Sequence, residues 1–215
     1  MLERITWIKQ STYRWAGDDL TVYVDSWGAG QDAQPADVVF ITHAHYDHFD
    51  SEDIAAIRSD DSVFVAPKDV ARELSGKVTA VSPGDTIDVK GVRGQAVPAY
   101  NIAQHRLDKH PKANGWVGYI LELGGSTYYF SGDTDALPEL EDVDTDVAFV
   151  CVGGDPFVMT PGEAAGLVKA MEPQVAVPNH YGWAVGTPAN AETFRREAEP
   201  VKVEILVPVV PFEKT

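Results

Sequence analysis

A short apolar run, Val38-Val39-Phe40-Ile41, leads straight into Thr42-His43-Ala44-His45-Tyr46-Asp47-His48. A run that is apolar without alternation reads as a strand buried on both faces, so the chain must cover it from two sides. The polar cluster then falls just beyond the C-terminal end of that strand, where open sheets place ligands. In extended backbone, positions two apart share a side, so His43 and His45 can reach one point together. Asp47 and His48 lie slightly farther on and can reach a second. The chain has six histidines, and three stand in these six positions. Imidazole and carboxylate donors together suit zinc, manganese, iron or nickel.

The 215 residues are enough for a single domain, 1–215, with a sizeable core. Apolar content of 44% and charged content of 23% are ordinary for a soluble protein. The net charge of −16 is spread along the chain, which disfavours nucleic acid and anionic membranes as partners. No apolar run approaches the length of a membrane span, and "MLERITWIKQSTYRWAG" does not have the pattern of a signal peptide. A cytoplasmic protein is expected. The lone cysteine, Cys151, sits within "DVAFVCVGG" and reads as a small buried hydrophobe.

Strands are expected at 4–8, 11–16, 20–25, 37–41, 62–66, 77–81, 85–89, 94–98, 116–123, 126–131, 146–151, 174–178 and 203–208. Gly124-Gly125 joins two of them as a hairpin. Helices are expected at 51–58 with Ser51 as N-cap, at 161–171 with a Thr160/Glu163 capping box, and at 190–198. Shorter helical pieces fit 67–74 and 136–141. Two groups of strands with a few helices suggest an α/β chain with two packed sheets flanked by helices.

"HAHYDH" resembles the H-x-H-x-D-H signature of the metallo-β-lactamase-fold hydrolase superfamily. "YYFSGDTD" is similar to the family strand that ends in a bridging aspartate, here Asp133, and "VAVPNHYG" to its last ligand motif, here His180. The remaining ligand has two candidates, His105 and His110. The segment "VPAYNIAQHRLDKHPKANGWVGYILEL" resembles a compact single-domain branch similar to sugar-lactone hydrolases. There the ligand histidine precedes the proline, as His110 does. The resemblance implies a four-layer αββα sandwich and two divalent ions, zinc foremost, with manganese, iron or nickel also compatible. His43, His45 and His110 would hold one ion, Asp47, His48 and His180 the other, with Asp133 between them.

On that resemblance, a hydroxide bridging the ions would cleave an ester, lactone, thioester or phosphodiester bond of a small molecule, which could be anionic. Asp47 would serve as ligand and could also pass a proton to the leaving group. Asp25, in "VYVDSWG", is expected to orient a ligand histidine or the "HAHYDH" loop. Tyr100, Asn101, Trp116, Tyr181 and Trp183 are candidates to line a substrate cleft. Gly153 and Gly154 could let backbone approach the site, and Asp155 could add a negative charge near it. Little sequence lies outside the core motifs, so the site should be open and a homo-oligomer could help close it. The competing reading is a metal-binding or sensing protein without turnover.

Overall fold

The structure, a computed structural model, describes residues 1–213. Its organising element is the expected buried strand. Val38–Phe40 (β4) pairs in parallel with Thr21–Val24 (β3) on one side and Val63–Pro67 (β5) on the other. Ile5–Lys9 (β1) and Thr12–Ala16 (β2) extend the sheet beyond β3, and Lys77–Val81 (β6) extends it beyond β5. Side chains alternate across β4. Val38 and Phe40 enter the core between two sheets, whereas Val39 joins Ile54 and Ile57 on the opposite face. Those two isoleucines belong to the helix Ser51–Ile57 (α1). Lys68–Ala71 (α2) adds Val70 to the same outer layer.

The second sheet runs in the order Val175–Asn179 (β12), Val147–Cys151 (β11), Ser126–Phe130 (β10), Val117–Leu123 (β9), Val92–Pro98 (β8) and Thr86–Val89 (β7). The ring of Tyr119 on β9 lies 5.1 Å from that of Phe40, and its hydroxyl donates to the Ile41 carbonyl at 2.8 Å. The two sheets thus meet directly under the histidine-rich loop. Pro161–Met171 (α3) and Pro188–Glu197 (α4) bring Leu167, Val168 and Phe194 to the second sheet. The result is a four-layer αββα sandwich.

The hairpin between β9 and β10 turns on Gly124 and Gly125, with φ of 58° and 82°. Both values suit glycine at a two-residue turn. Helix α3 has the expected bounds and the Thr160/Glu163 capping box. Three expectations change. The cap of α1 is Asp50, whose carboxylate accepts from the amides of Glu52 and Asp53, and Ser51 is already inside the helix. Helix α4 starts two residues earlier than expected, because Thr187 and Asn190 form the capping box and Pro188 occupies the first turn. The strand expected at 203–208 reduces to one parallel bridge, Ala176 with Val203. Ala176 exchanges hydrogen bonds with Lys202 and Glu204. The next donor in that parallel ladder would be residue 178, a proline without an N–H, and the ladder stops.

Cys151 is fully buried in β11, and burial pushes its thiol up to about 12. Native protein at pH 8 is therefore expected to leave a disulfide reagent such as DTNB unreacted, and to consume one equivalent per chain after denaturation. Rapid reaction of the native protein would contradict this packing.

Candidate metal centre

The ends of β4, β10 and β12, together with the loop between β8 and β9, meet at one rim of the sandwich. His43, His45, Asp47 and His48 follow β4, Asp133 follows β10, His180 follows β12, and His110 comes from the loop. These side chains form two adjoining groups of possible donors, His43, His45, His110 and Asp133 in one, Asp47, His48 and His180 in the other. Within each group the donor atoms lie within 4.8 Å of one another. Asp133 touches both. Its Oδ2 is 3.2 Å from His110 Nε2 and 3.0 Å from His180 Nε2, and its Oδ1 is 3.3 Å from His48 Nε2.

Three of the five rings, those of His43, His48 and His110, are held by a hydrogen bond from behind. Asp25, at φ 59°, turns its carboxylate under the loop and accepts from the Thr42 amide at 2.8 Å and the Thr42 hydroxyl at 2.9 Å. Its other oxygen accepts from His48 Nδ1 at 2.7 Å, so Nε2 of His48 faces the site. With its own proton directed to Asp25, the Thr42 oxygen accepts from His43 Nδ1 at 3.0 Å, leaving a lone pair on Nε2. His110 Nδ1 donates to Asn101 Oδ1 at 2.8 Å. Gly153 backs His180 so closely that a Cβ there would stand 2.4 Å from the His180 carbonyl oxygen.

Burial and the neighbouring His48 hold His43 well below the usual histidine range, and burial with His110 lowers His45. Both are neutral imidazoles, the form that can bind a cation. Burial would also lower His48 and His180. The Asp133 carboxylate outweighs it, raising His48 well above its ordinary value and His180 to about 9. Burial would raise Asp133, but the imidazoles of His180 and His48 hold it well below the carboxylate range. Among the described residues, Nε2 of His48, His110 and His180 and Oδ1 of Asp133 are buried without a hydrogen-bond partner. Buried polar atoms without partners are costly, and a bound cation would satisfy those gathered here. A nitrogen-rich set with two carboxylates suits divalent transition metals, so the residues present fit metal binding.

The structure brings His110 into this cluster and leaves His105 outside it. His105 is exposed and pairs with Asp155 at 2.6 Å. The candidate substrate residues are placed differently from expectation. Asn101 is buried behind His110, so its short polar side chain serves the loop rather than a cleft. The Trp116 ring lies 4.9 Å from those of His43 and His45, while its Nε1 donates to Asp69. Tyr181 and Trp183 are fully buried in an aromatic cluster with Trp7 and Phe212. Tyr100 bonds Glu139 through its hydroxyl. None of the five lines the cleft over the cluster. That cleft, about 280 Å³, is bordered instead by Tyr46, Lys109, Phe157, Ala184 and Val185 with the donor residues below.

Sequence reasoning missed Arg106. It is buried, and its guanidinium donates to Asp135, Asp155 and Glu163. Asp135 also accepts from Asn101 Nδ2 and from the amides of Ile102 and Ala103. Arg106, Asp135, Asn101 and His110 are thus linked in series. No local pattern around residue 106 announces this, since its three partners come from three other segments.

A sequence profile described as "Beta-lactamase superfamily domain" matches residues 4–180. The UPF0173 metal-dependent hydrolase of Methanopyrus kandleri is 29% identical over 98% of this chain and 100% of its own. Its namesake in Thermococcus kodakarensis is 34% identical over 80% of each chain. A crystal structure from Parabacteroides distasonis, named for a metal-dependent hydrolase, superposes with a TM-score of 0.82 at 31% identity. It spans 94% of this chain and 91% of that one.

His110→Ala is expected to lose bound metal while His105→Ala retains it, read by elemental analysis. Asn101→Ala should weaken metal affinity by roughly 10–100-fold. In the cation-free site His180 keeps its proton below about pH 9, and a metal must displace it. Affinity should therefore fall as pH falls below 9. Calorimetry near pH 7.5 in buffers of different ionisation enthalpy should show proton release, and none would contradict this charge arrangement. The profile match, the relatives' identity and the superposition agree with this geometry: the chain belongs to the metallo-β-lactamase superfamily, among its UPF0173 metal-dependent hydrolases.

Proposed function

We propose that the chain is a binuclear hydrolase of a small molecule, cleaving an ester, lactone, thioester or phosphodiester bond. The observation that carries this reading is Asp133, whose carboxylate lies within 3.3 Å of histidines from both donor groups. A carboxylate so placed can be shared by two ions. His43, His45 and His110 would hold the first, Asp47, His48 and His180 the second. When bound, two divalent ions would supply Lewis acidity and lower the pKa of water to roughly 7.

The protein's own groups supply position and proton handling. Asp25, Thr42 and Asn101 fix ring orientation, so the donor set is arranged before any ligand arrives. Asp47 borders the cleft, with Oδ2 at 3.3 Å from His180 Nε2 and from Gln10 Nε2, which donates to it. Burial would raise its pKa, but His180 and His48 lower it. At neutral pH it is a carboxylate, able to accept a proton from the attacking water and to deliver it to the leaving group. At about 280 Å³ the cleft falls just below the roughly 300–1,000 Å³ usual for ligand pockets, which suits a small substrate.

Metal-loaded protein should carry two ions per chain by elemental analysis; saturation at one would sink the binuclear reading. A metal-titrated assay over ester, lactone, thioester and phosphodiester substrates should find turnover that a chelator abolishes. Two bound ions with no turnover in any class would point instead to a metal-binding or sensing protein.

A further inference from the structure

Large apolar side chains exposed on this acidic protein are few and gathered. Among the described residues they are Tyr46, Ile102, Leu107, Phe157, Val207 and Val209. The first four occupy three loops around the metal-binding rim, 43–49, 101–110 and 153–160. Tyr46 and Phe157 border the cleft itself, at 64% and 38% exposure, and face it together with Ala184 and Val185. Exposed apolar groups gathered at the mouth of a concave site mark binding, whereas scattered ones need no explanation.

These loops are held in place. The Tyr46 ring packs edge-on against Trp27 at 5.6 Å, and Lys9 Nζ stands 3.5 Å from the Trp27 ring centroid. Buried Arg106 ties loop 101–110, which carries Ile102 and Leu107, to Asp135, Asp155 and Glu163. Loop 153–160 is braced internally by the Gly154 amide, which donates to the Met159 carbonyl, and is tied to its neighbours by Asn190 Nδ2, which donates to the Gly153 carbonyl, and by Arg106, which donates to Asp155. The collar is therefore built before a ligand arrives, and its apolar area is left uncovered.

Charge on the cleft wall is the second observation. Among the described residues lining the cleft, Lys109 is the one cation other than histidine, and Asp108 pairs with it at 3.0 Å. No arginine borders the cleft, so it lacks the planar fork that grips a phosphate or carboxylate. A larger depression of about 890 Å³ along β7 and β8 contains no histidine or cysteine and lies apart from the donor cluster.

We propose, on the hydrolase reading above, that the substrate is an acyl compound with an apolar arm, which lies on the collar of Tyr46, Leu107 and Phe157 while its carbonyl enters the cleft. Water adds to the acyl carbon, the bond from that carbon to oxygen or sulfur breaks, and the leaving heteroatom takes the proton. The products are a carboxylic acid and an alcohol or thiol. Continuity of the collar with the reactive cleft favours a substrate arm over a second copy of the chain, which would cover the entrance.

The test uses full-length, zinc-loaded protein and a thioester series with acetyl, butanoyl, hexanoyl and octanoyl groups. Burial of methylenes predicts that kcat/KM rises by about tenfold or more from acetyl to octanoyl. Phe157→Ser and Leu107→Ser, both at exposed positions, should each flatten that slope with metal content unchanged. Calorimetry should find octanoate bound more tightly than acetate, and the difference reduced in both variants. Turnover without chain-length dependence would overturn the proposal while leaving the hydrolase reading intact. Absence of turnover in this series would leave the hydrolase reading to the other bond classes, and equal binding of octanoate and acetate would then overturn the proposal by removing the collar as an apolar subsite. A wild-type dimer that the same variants convert to monomer, with the slope unchanged, would make the collar a contact between copies and overturn the proposal.

Discussion

Asp133 is buried with the side-chain nitrogens of His43, His48, His110 and His180 all within 3.8 Å of its carboxylate. Several of those atoms lack any hydrogen-bond partner, so the rim gathers donor atoms whose burial is unfavourable without a cation. The rest of the fold has to hold them against that cost. Two rigid sheets do so for every donor but His110, because the others follow strand ends, where backbone hydrogen bonding fixes their starting points. The Tyr119 hydroxyl, donating to the Ile41 carbonyl, joins the sheets one residue before the loop begins.

Orientation comes from a layer behind the donors. Asp25 serves the Thr42 amide, the Thr42 hydroxyl and His48 with one carboxylate. The Arg106–Asp135–Asn101–His110 series does the equivalent for the loop that has no strand directly behind it. These two devices differ in reach. Asp25 acts on a segment adjoining its own sheet, whereas Arg106 gathers carboxylates from the ends of β10 and β11 and from the first turn of α3. A loop held by ion pairs alone would be mobile; buried and paired on every side, the arginine makes it part of the wall.

Much of this was legible in the sequence because it is written locally. The unalternating run 38–41, the Gly124-Gly125 turn and the Thr160/Glu163 box each carry their own signal. The site motifs are likewise local, and they identified residues that the structure brings together. What was not legible depends on partners far apart. Trp183 and Tyr181 looked available beside His180, but Trp7 and Phe212 enclose them. Asn101 looked like a cleft residue because nothing local shows that His110 needs a partner. Tyr46 and Phe157 border the cleft, yet sequence cannot tell an aromatic that covers a core from one left in the open. The strand expected at 203–208 failed for a reason located in another strand, at Pro178.

That proline also bears on how the molecule behaves among its neighbours. Strand β12 is the outermost of its sheet, and such a border can template pairing with a foreign chain. The β12 border is occupied at one point by Val203, and two residues on Pro178 offers no donor. An intruding strand could not zip along it past the middle. The residue that cut short a local ladder thus also guards the sheet against edge-to-edge aggregation.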